Sequence, residues 1–342
     1  MTDRQPDADR LAEEREEVTT PDAMRAGASG VALPEEPAGI AAQDHELVYT
    51  SGVEPKARSQ WAYARVRFFR HKLAVINLAV LFLIGLVALF APQIAPYGFD
   101  ELDLENLTSP PTLKDWHLFG TDQLGRDYLS RVIFGIRTSF WVALFVAGLS
   151  TMIGTAVGAA AGYYGGVVDN LLMRFTDLVL TLPGLAVLLT AAVFFGSGDP
   201  LKVGLILAFL FWTALARIVR GLFLSLREKE FVEAAKAAGA TDARIIIRHI
   251  LPNTLGPIIV NATLVVAGAI LVEAALSFLG FGIQPPNAAL GKLISDGQSE
   301  GFQLWWLVTF PGLVIMIIAL AINFVGDGLR DALDPTQRRA RA

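Results

Sequence analysis

The stretch Glu233–Pro252, EAAKAAGATDARIIIRHILP, decides how the rest of the chain is interpreted. It is polar, rich in alanine and net basic, although strongly apolar segments precede and follow it. Gly239 interrupts its helical pattern and Pro252 ends it, so the pattern predicts two short helices joined at the glycine. An ordered two-helix element in a loop between membrane spans predicts a docking site, and partner-driven transport is therefore the leading hypothesis.

The composition indicates an integral membrane protein. Of the 342 residues, 53% are hydrophobic, and the mean hydropathy is positive. A helix needs about 20 apolar residues to cross a hydrocarbon core of about 30 Å. Six segments are long enough, so we predict an all-α membrane protein with six transmembrane helices. The third segment contains Pro183 and is expected to be extended by residues 171–177. The six predicted spans are Leu73–Ile94, Ser139–Gly162, Leu178–Phe195, Val203–Leu222, Leu255–Leu279 and Leu304–Val325.

Charge predicts an N-in/C-in orientation. Residues 56–72 contain a run of lysines and arginines directly before the first span. Because cytoplasmic loops are enriched in Lys and Arg, this run places the N-terminus in the cytoplasm. Six spans then return the C-terminus to the same side. The loop between spans four and five also falls inside, and it contains Arg227, Lys229, Lys236, Arg244 and Arg248.

Residues 97–137, called here the 97–137 segment, then fall outside. Three arginines in this segment oppose the positive-inside rule. These arginines alternate with Asp122 and Asp127, and Gly125–Gly135 is expected to form a surface helix. The outside placement is therefore kept.

The ends of the chain differ in charge from its apolar core. Residues 1–50 contain 12 acidic and 4 basic side chains, a balance of −8. This segment is also rich in Pro, Ala and Gly, so residues 1–55 are predicted to be a disordered acidic cytoplasmic tail. Residues 56–137 hold the first span and an extracytoplasmic segment, and residues 138–335 form a five-helix core. Residues 336–342 are a basic cytoplasmic tail.

Several kinds of chemistry are missing from the sequence. The chain has no cysteine, which excludes disulfides and thiolate sites, and its four histidines are scattered. There is no Gly-x-x-x-x-Gly-Lys-Ser/Thr loop for ATP, and no zinc-protease or serine-nucleophile motif. We therefore predict a non-catalytic membrane subunit with no metal site, no cofactor of its own and no nucleic-acid partner. Energy is expected to come from a separate subunit.

Polar residues inside the predicted spans are candidates for the translocation pathway. Glu273 is the best single candidate, because carboxylates are rare and costly within a bilayer. Asn261 and Asn323 also lie within spans. For each of the three, a structural hydrogen bond in the bundle and a substrate contact both stay open.

Small residues and prolines predict how the helices meet. Gly154, Gly158 and Gly162 form a double small-xxx-small pattern that allows close approach of another helix. The partner is either a helix of the same chain or a second subunit. Pro183 and Pro311 predict kinks or local breaks in spans three and six.

The docking element itself has a recognisable design. Phe231, Ala234, Ala235 and Ala238 recur at helical spacing, giving a small-residue face on the first short helix. Phe231 is expected to anchor the element. Gly239 suits a left-handed helix end, and Thr241 or Asp242 is expected to cap the second helix, whose isoleucines pack back on the spans.

The stretch resembles the EAA loop of ABC-transporter permeases, which has Glu-Ala-Ala, three residues, Gly and a later Leu-Pro. Glu233, Ala234, Ala235, Gly239 and Leu251–Pro252 stand in register with it. Residues 228–253 are called the EAA loop below. Four further blocks are similar to the C-type permease subunit of the dipeptide/oligopeptide/nickel importers. These blocks are FGTDQLGRDYLSRVIFGIRTS (Phe119–Ser139), GYYGGVVD (Gly162–Asp169), LSFLGFGIQPP (Leu276–Pro286) and GDGLRDALDP (Gly326–Pro335).

The resemblance implies a type I ABC importer permease with the MetI-like fold, in the plasma membrane of a prokaryote. It implies a second, homologous permease subunit, two cytoplasmic ATPase subunits that hold ATP and Mg²⁺, and an extracytoplasmic substrate-binding protein. Glu233, Ala234, Ala235 and Gly239 would dock the ATPase, and Leu251–Pro252 would set the return into span five. Peptides are the expected substrate, transported by alternating access.

Three alternatives stay open at this point. The same importer class also carries nickel and other small solutes, and selectivity would lie largely in the binding protein. A self-sufficient secondary carrier would need ion-coupling groups and usually an internal repeat, neither of which is found. A membrane scaffold would leave the proline-interrupted spans unexplained.

Overall fold

The computed structural model describes residues 60–113, 116–196 and 198–333. Both predicted tails, residues 1–55 and 336–342, lie outside these described ranges. A π-helical turn covers Ile245–Ile250. The α-helices are α1 (Gln60–Arg70), α2 (Lys72–Leu89), α3 (Ala91–Ile94), α4 (Tyr128–Tyr164), α5 (Gly166–Thr181), α6 (Gly184–Phe195), α7 (Pro200–Arg227), α8 (Glu230–Ala237), α9 (Asp242–Arg244), α10 (Leu251–Phe278), α11 (Leu290–Ser299) and α12 (Trp306–Leu333).

The helices long and apolar enough to cross a membrane agree with the predicted spans. Five qualify in the described residues: α2, α4, α7, the continuous run from α9 through α10, and α12. The pair α5 and α6 becomes a sixth if it is one span, bent by 88° at its break. Pro183 lies at this break because it has no N–H to continue the helix of α5. The predicted all-helical fold and the break at Pro183 are confirmed, whereas α12 continues through Pro311.

Helix α4 begins earlier than predicted and corrects the expectation for Gly125–Gly135. It starts at Tyr128 rather than Ser139, where the Asp127 side chain accepts a hydrogen bond from the Ser130 backbone N–H. Tyr128 and Val132 are buried rather than at a surface. The predicted surface helix is therefore wrong, because these residues form the buried first turns of α4.

The small-xxx-small pattern of α4 is used inside the chain. A Cβ added at Gly154 would lie 2.6 Å from the Trp212 carbonyl oxygen, and one at Gly158 would lie 2.4 Å from the Ala216 carbonyl oxygen. Both partners are on α7, so the glycines allow α4 and α7 to pack backbone against backbone. Of the two alternatives left open by the sequence, packing within the chain is the one observed.

The main core lies where α4, α7, α10, α11 and α12 meet. Leu207, Ile270 and Ile318, one from each of three helices, are fully buried there. Lipid tails are as apolar as these side chains, so close van der Waals packing rather than removal from water holds the helices together here. This core holds α7 and α10 together, and the EAA loop joins these two helices.

Candidate functional site

The first helix of the EAA loop, α8, is held by one side chain. Val232 is fully buried, in a cluster with Phe223 of α7 and with Ile245 and Ile250. Phe231, which was expected to be the anchor, is 41% exposed, so that expectation is wrong. The two residues are adjacent, and a helix turns by about 100° per residue. Only one of them could face α7, and the structure selects Val232.

Two of the predicted docking residues lie on the free face of α8. Glu233 and Ala234 are exposed, whereas Ala235 is partly buried. Because Val232 faces α7, the residues after it present backbone and small side chains to the outside. The small-residue face therefore exists, although Ala235 contributes to its packed edge.

Gly239 ends α8 in the way its residue type predicts. Its φ is +77°, the left-handed conformation that glycine adopts without steric cost. The Ala240 N–H donates to the Ala235 carbonyl at 3.0 Å, and the Gly239 N–H donates to the Lys236 carbonyl at 2.9 Å. This pair of bonds is the Schellman motif. It fixes the angle between α8 and the segment that follows.

The return into the membrane is continuous, which corrects the predicted stop at Pro252. Residues from Asp242 to Phe278 form one unbroken helical run, with Pro252 in the first turn of α10. The preceding π-helical turn includes a bond from the Leu251 N–H to the Ile246 carbonyl. A proline lacks an N–H, and its position in the first turn of α10, after a π-helical turn, lets the helix continue through it. Thr241 precedes α9 but makes no side-chain capping bond.

Polar contacts join the EAA loop to the end of α4, and join α7 to the ends of α4 and α5. The Tyr163 hydroxyl donates to Asp242 Oδ1 at 2.7 Å. Arg227, the last residue of α7, donates from Nη1 to the Gly162 carbonyl at 3.2 Å. Nearby, Arg220 of α7 holds Asp169 of α5 through two nitrogen–oxygen contacts. The sequence block Gly162–Asp169 thus contacts the EAA loop through Tyr163 and contacts α7, which leads into the loop.

Glu273 lies in the core and links three parts of the chain. It is fully buried. Its carboxylate accepts hydrogen bonds from Ser139 Oγ of α4 at 2.8 Å and from Ser277 Oγ at 2.7 Å. The Ser277 hydroxyl in turn accepts the Ile283 N–H at 3.0 Å. Of the two interpretations open from the sequence, the structural hydrogen bond is the one this arrangement favours.

The other two candidate polar residues do not join Glu273 in one site. Asn261 lies twelve residues earlier on α10, which is about 18 Å along the helix at 1.5 Å per residue. Its Oδ1 atom is buried without a hydrogen-bond partner in the described structure. Asn323 lies on α12 and is exposed. The structure therefore separates the predicted pathway residues.

The 97–137 segment contains a buried ionic cluster that explains its arginines. Arg126 Nε lies 2.7 Å from Asp122 Oδ2, and Arg131 pairs with the same carboxylate. The side chains of Asp122 and Arg131 are only 7% and 4% exposed. Two of the three arginines that oppose the positive-inside rule thus share one carboxylate partner within the segment.

A histidine forms a second cluster in the same segment. His117 is buried, with Nδ1 at 2.9 Å from Asp127 Oδ1 and Nε2 at 3.3 Å from Asp103 Oδ2. Burial lowers the pKa of His117, but the hydrogen bonds to the two carboxylates outweigh it, and the pKa is raised. Hydrogen bonds from Asn106 and then from His117 lower the pKa of Asp103. Within the described ranges, no group of three or more potential ligands is arranged to hold a metal ion.

The fold and the exposed loop define a multi-pass membrane transport subunit. Residues 154–339 match the family described as binding-protein-dependent transport system inner membrane component. Residues 59–111 match the N-terminal TM domain of oligopeptide transport permease C. The chain belongs to this family of inner-membrane transport components.

Individual relatives agree with the family match. The chain is 42% identical over 283 residues to the oligopeptide transport system permease protein OppC of Haemophilus influenzae, covering 83% of this chain and 91% of that protein. It is 40% identical to OppC of Escherichia coli, covering 85% and 96% respectively. A solved inward-facing structure of the MetNI methionine ABC transporter is 20% identical, with a TM-score of 0.47, and covers 60% of this chain and 97% of that chain. The family places this chain in the plasma membrane, and the members of the family are membrane transport subunits rather than enzymes.

Proposed function

We propose that this chain is the C-type permease subunit of an ATP-driven importer of di- or oligopeptides. Relatives named as oligopeptide permeases cover most of the chain and support the substrate class. The complete importer would contain a second homologous permease, two cytoplasmic ATPase subunits that hold ATP and Mg²⁺, and an extracytoplasmic peptide-binding protein. The lipid bilayer surrounds the permease pair.

The EAA loop is the observation that carries this proposal. Its docking face, with Glu233 and Ala234, is exposed, while Val232 anchors the same helix in a fully buried position. A rigid element with a free face of small side chains suits a protein partner that approaches its backbone closely. Glu233 adds a carboxylate that would accept charge-assisted hydrogen bonds from that partner.

The packing of the loop also provides a route for motion. Val232, Ile245 and Ile250 pack together against Phe223 of α7. The loop leads directly into α10, without a break at Pro252. A displacement of α8 by the ATPase would therefore move α7 and α10 together. In the proposed mechanism, ATP-driven closure of the ATPase pair rocks these helices and exposes the pathway to the opposite side.

The test compares two glycines with the same backbone conformation at opposite ends of the bundle. Gly239 has φ +77° and Gly280 has φ +87°, and an added Cβ would meet no atom within 4 Å at either position. Gly280 ends α10 with the same pair of backbone hydrogen bonds with which Gly239 ends α8. Gly239→Ala should strain the Schellman end of α8, whereas Gly280→Ala should apply similar strain far from it. Both variants are assembled with the ATPases and the binding protein in vesicles, and peptide uptake is measured per ATP hydrolysed.

We expect Gly239→Ala to lower uptake per ATP by about tenfold, and Gly280→Ala to leave it within about twofold of the wild type, since about 1–2 kcal/mol of strain falls on the docking element only in the first. A second variant, Glu233→Lys, should reduce co-purification of the ATPase by reversing one charge on the docking face. Equal coupling in all three variants would remove the loop from the mechanism. Peptide uptake by this chain without ATPase would instead identify a secondary carrier.

A further inference from the structure

Helix α1 is a basic element separate from the first span. It contains Arg65, Arg67 and Arg70 and no acidic residue. His71 follows with ψ 89°, outside the helical region, and its Nδ1 accepts the Ala74 N–H at 3.1 Å to start α2. The chain therefore ends one helix and begins another at the edge of the membrane span.

One side of α1 packs firmly on the bundle. Ala64 and Phe68 are each 8% exposed. Phe68 lies in a small core with Ala74, Val325 and Ala332. This packing fixes α1 across the end of α12, at the end of the bundle where α7 leads into the EAA loop. The other side of α1 stays open, with Phe69 61% exposed.

A groove runs between α1 and the ends of α10 and α12. Its volume is about 560 Å³. Arg65 is the charged residue in a lining that is otherwise apolar. Arg65 is exposed, and within the described parts of the chain it forms no ion pair or hydrogen bond. The remaining lining includes Phe68, Phe69, Ile259, Leu329 and Leu333.

We propose that this groove binds one anionic phospholipid, with an acyl chain against the apolar lining and the phosphate at Arg65. The groove lies beside a membrane span, so its occupant must match an apolar wall on one side and a free guanidinium on the other. Arginine recognises phosphate through a planar fork of donors. Basic residues next to a span attract anionic headgroups. Arg67, Arg70 and Lys72 follow Arg65 in the chain, and α1 contains no acidic residue.

The inference does not depend on the substrate of the importer. It requires only that α2 spans the membrane and that α1 lies at its boundary. Free phosphate or a water-soluble anion would leave the apolar lining exposed, whereas a phospholipid covers both parts of the groove.

The test is native mass spectrometry of the full chain in its purified complex, in a neutral detergent. Phosphatidylglycerol and phosphatidylcholine with identical acyl chains are titrated in parallel. We expect tighter binding of phosphatidylglycerol, weakened about fivefold by Arg65→Gln, which is the factor that one basic residue contributes near an anionic surface. Arg330→Gln is the matched control. Arg330 lies in the last turn of α12 and is exposed, but it is not part of the lining.

A second variant tests the apolar half of the site. Ala62 lines the groove, and Ala62→Trp should fill it and weaken both lipids while all charges stay in place. Equal binding of the two lipids, or an equal loss in Arg65→Gln and Arg330→Gln, would overturn the proposal. Deletion of residues 1–50, which carry 12 acidic side chains, supplies the last test. If lipid binds only after this deletion, the acidic segment itself is the occupant and the proposal is wrong.

Discussion

The EAA loop and the 97–137 segment lie at opposite ends of the bundle and are built on opposite principles. The loop keeps Glu233 and Ala234 exposed and is held by a few apolar anchors such as Val232. The 97–137 segment instead buries its charges, with Asp122 and Arg131 almost inaccessible. The difference indicates that one end is arranged for a partner to bind, whereas the other end holds an ion pair buried within the chain.

The largest effect should come from breaking the buried ion pair. Asp122→Asn removes the charge that neutralises Arg131 and should lower the free energy of unfolding by about 3–5 kcal/mol, because a buried cation is left uncompensated. Asp242→Asn is the control in the EAA loop, where the bond from Tyr163 is exposed, and it should cost about 1 kcal/mol or less. Thermal unfolding of both purified variants measures these losses of stability. Equal losses of stability in the two variants would show that the two ends of the bundle do not differ in this way.

Two glycine substitutions should distinguish the stability cost of a steric clash from the cost of an unfavourable backbone conformation. A Cβ at Gly291 would lie 2.0 Å from the Ala274 carbonyl oxygen, so Gly291→Ala should cost about 3 kcal/mol by forcing α10 and α11 apart. Gly239→Ala meets no neighbour and should cost about 1–2 kcal/mol from its positive φ alone. Denaturant unfolding monitored by tryptophan fluorescence measures both. A larger loss at Gly239 would show that the loop is packed more tightly than its exposure indicates.

The smallest effect should be a pH dependence confined to the 97–137 segment. The pKa of His117 is raised from 6.5 by its two carboxylate partners, against the effect of burial. Its protonated form therefore stabilises the folded state fully below pH 6.5, and this contribution is lost as the pH rises through the folded pKa. The melting temperature should fall between pH 6 and pH 9. In His117→Gln this part of the decline should be missing.

Amide hydrogen exchange shows which part of the chain the pH dependence comes from. Amides of the 97–137 segment should exchange faster as the pH rises, after correction for intrinsic rates, while amides of the EAA loop should show no such change. A parallel change at both ends would indicate global unfolding instead. The same pH slope in wild type and His117→Gln would show that the histidine does not contribute.

The sequence predicted which helices form the site better than which of their side chains are buried. Gly239 was expected to end a helix in the left-handed conformation, and it does so. The break at Pro183 was also expected. The anchor was assigned to Phe231, although Val232 is the buried residue, because adjacent apolar residues on a short helix carry no signal for which one meets a neighbour. Pro252 was expected to stop a helix that in fact continues through it.

The polar residues in the spans likewise show that the sequence identifies an unusual residue but not its partners. The composition of the spans identified Glu273 as unusual, since a carboxylate within a membrane requires partners. It did not identify Ser139, which lies 134 positions away in the chain and donates to it. Asn261 and Asn323 were grouped with Glu273 by residue type alone, and the structure separates them.

The sequence by itself determined the number of apolar segments, the position of the EAA loop between two of them, and the conformation of Gly239. Each of these depends on local properties: hydropathy over a window, or the torsion angles open to one residue. Only the tertiary structure decided that α4 packs on α7 through its glycines, that Val232 is the anchor, and that Glu273 bonds to Ser139. These depend on which helices meet across the bundle, and burial is a property of both surfaces in a contact rather than of either one alone.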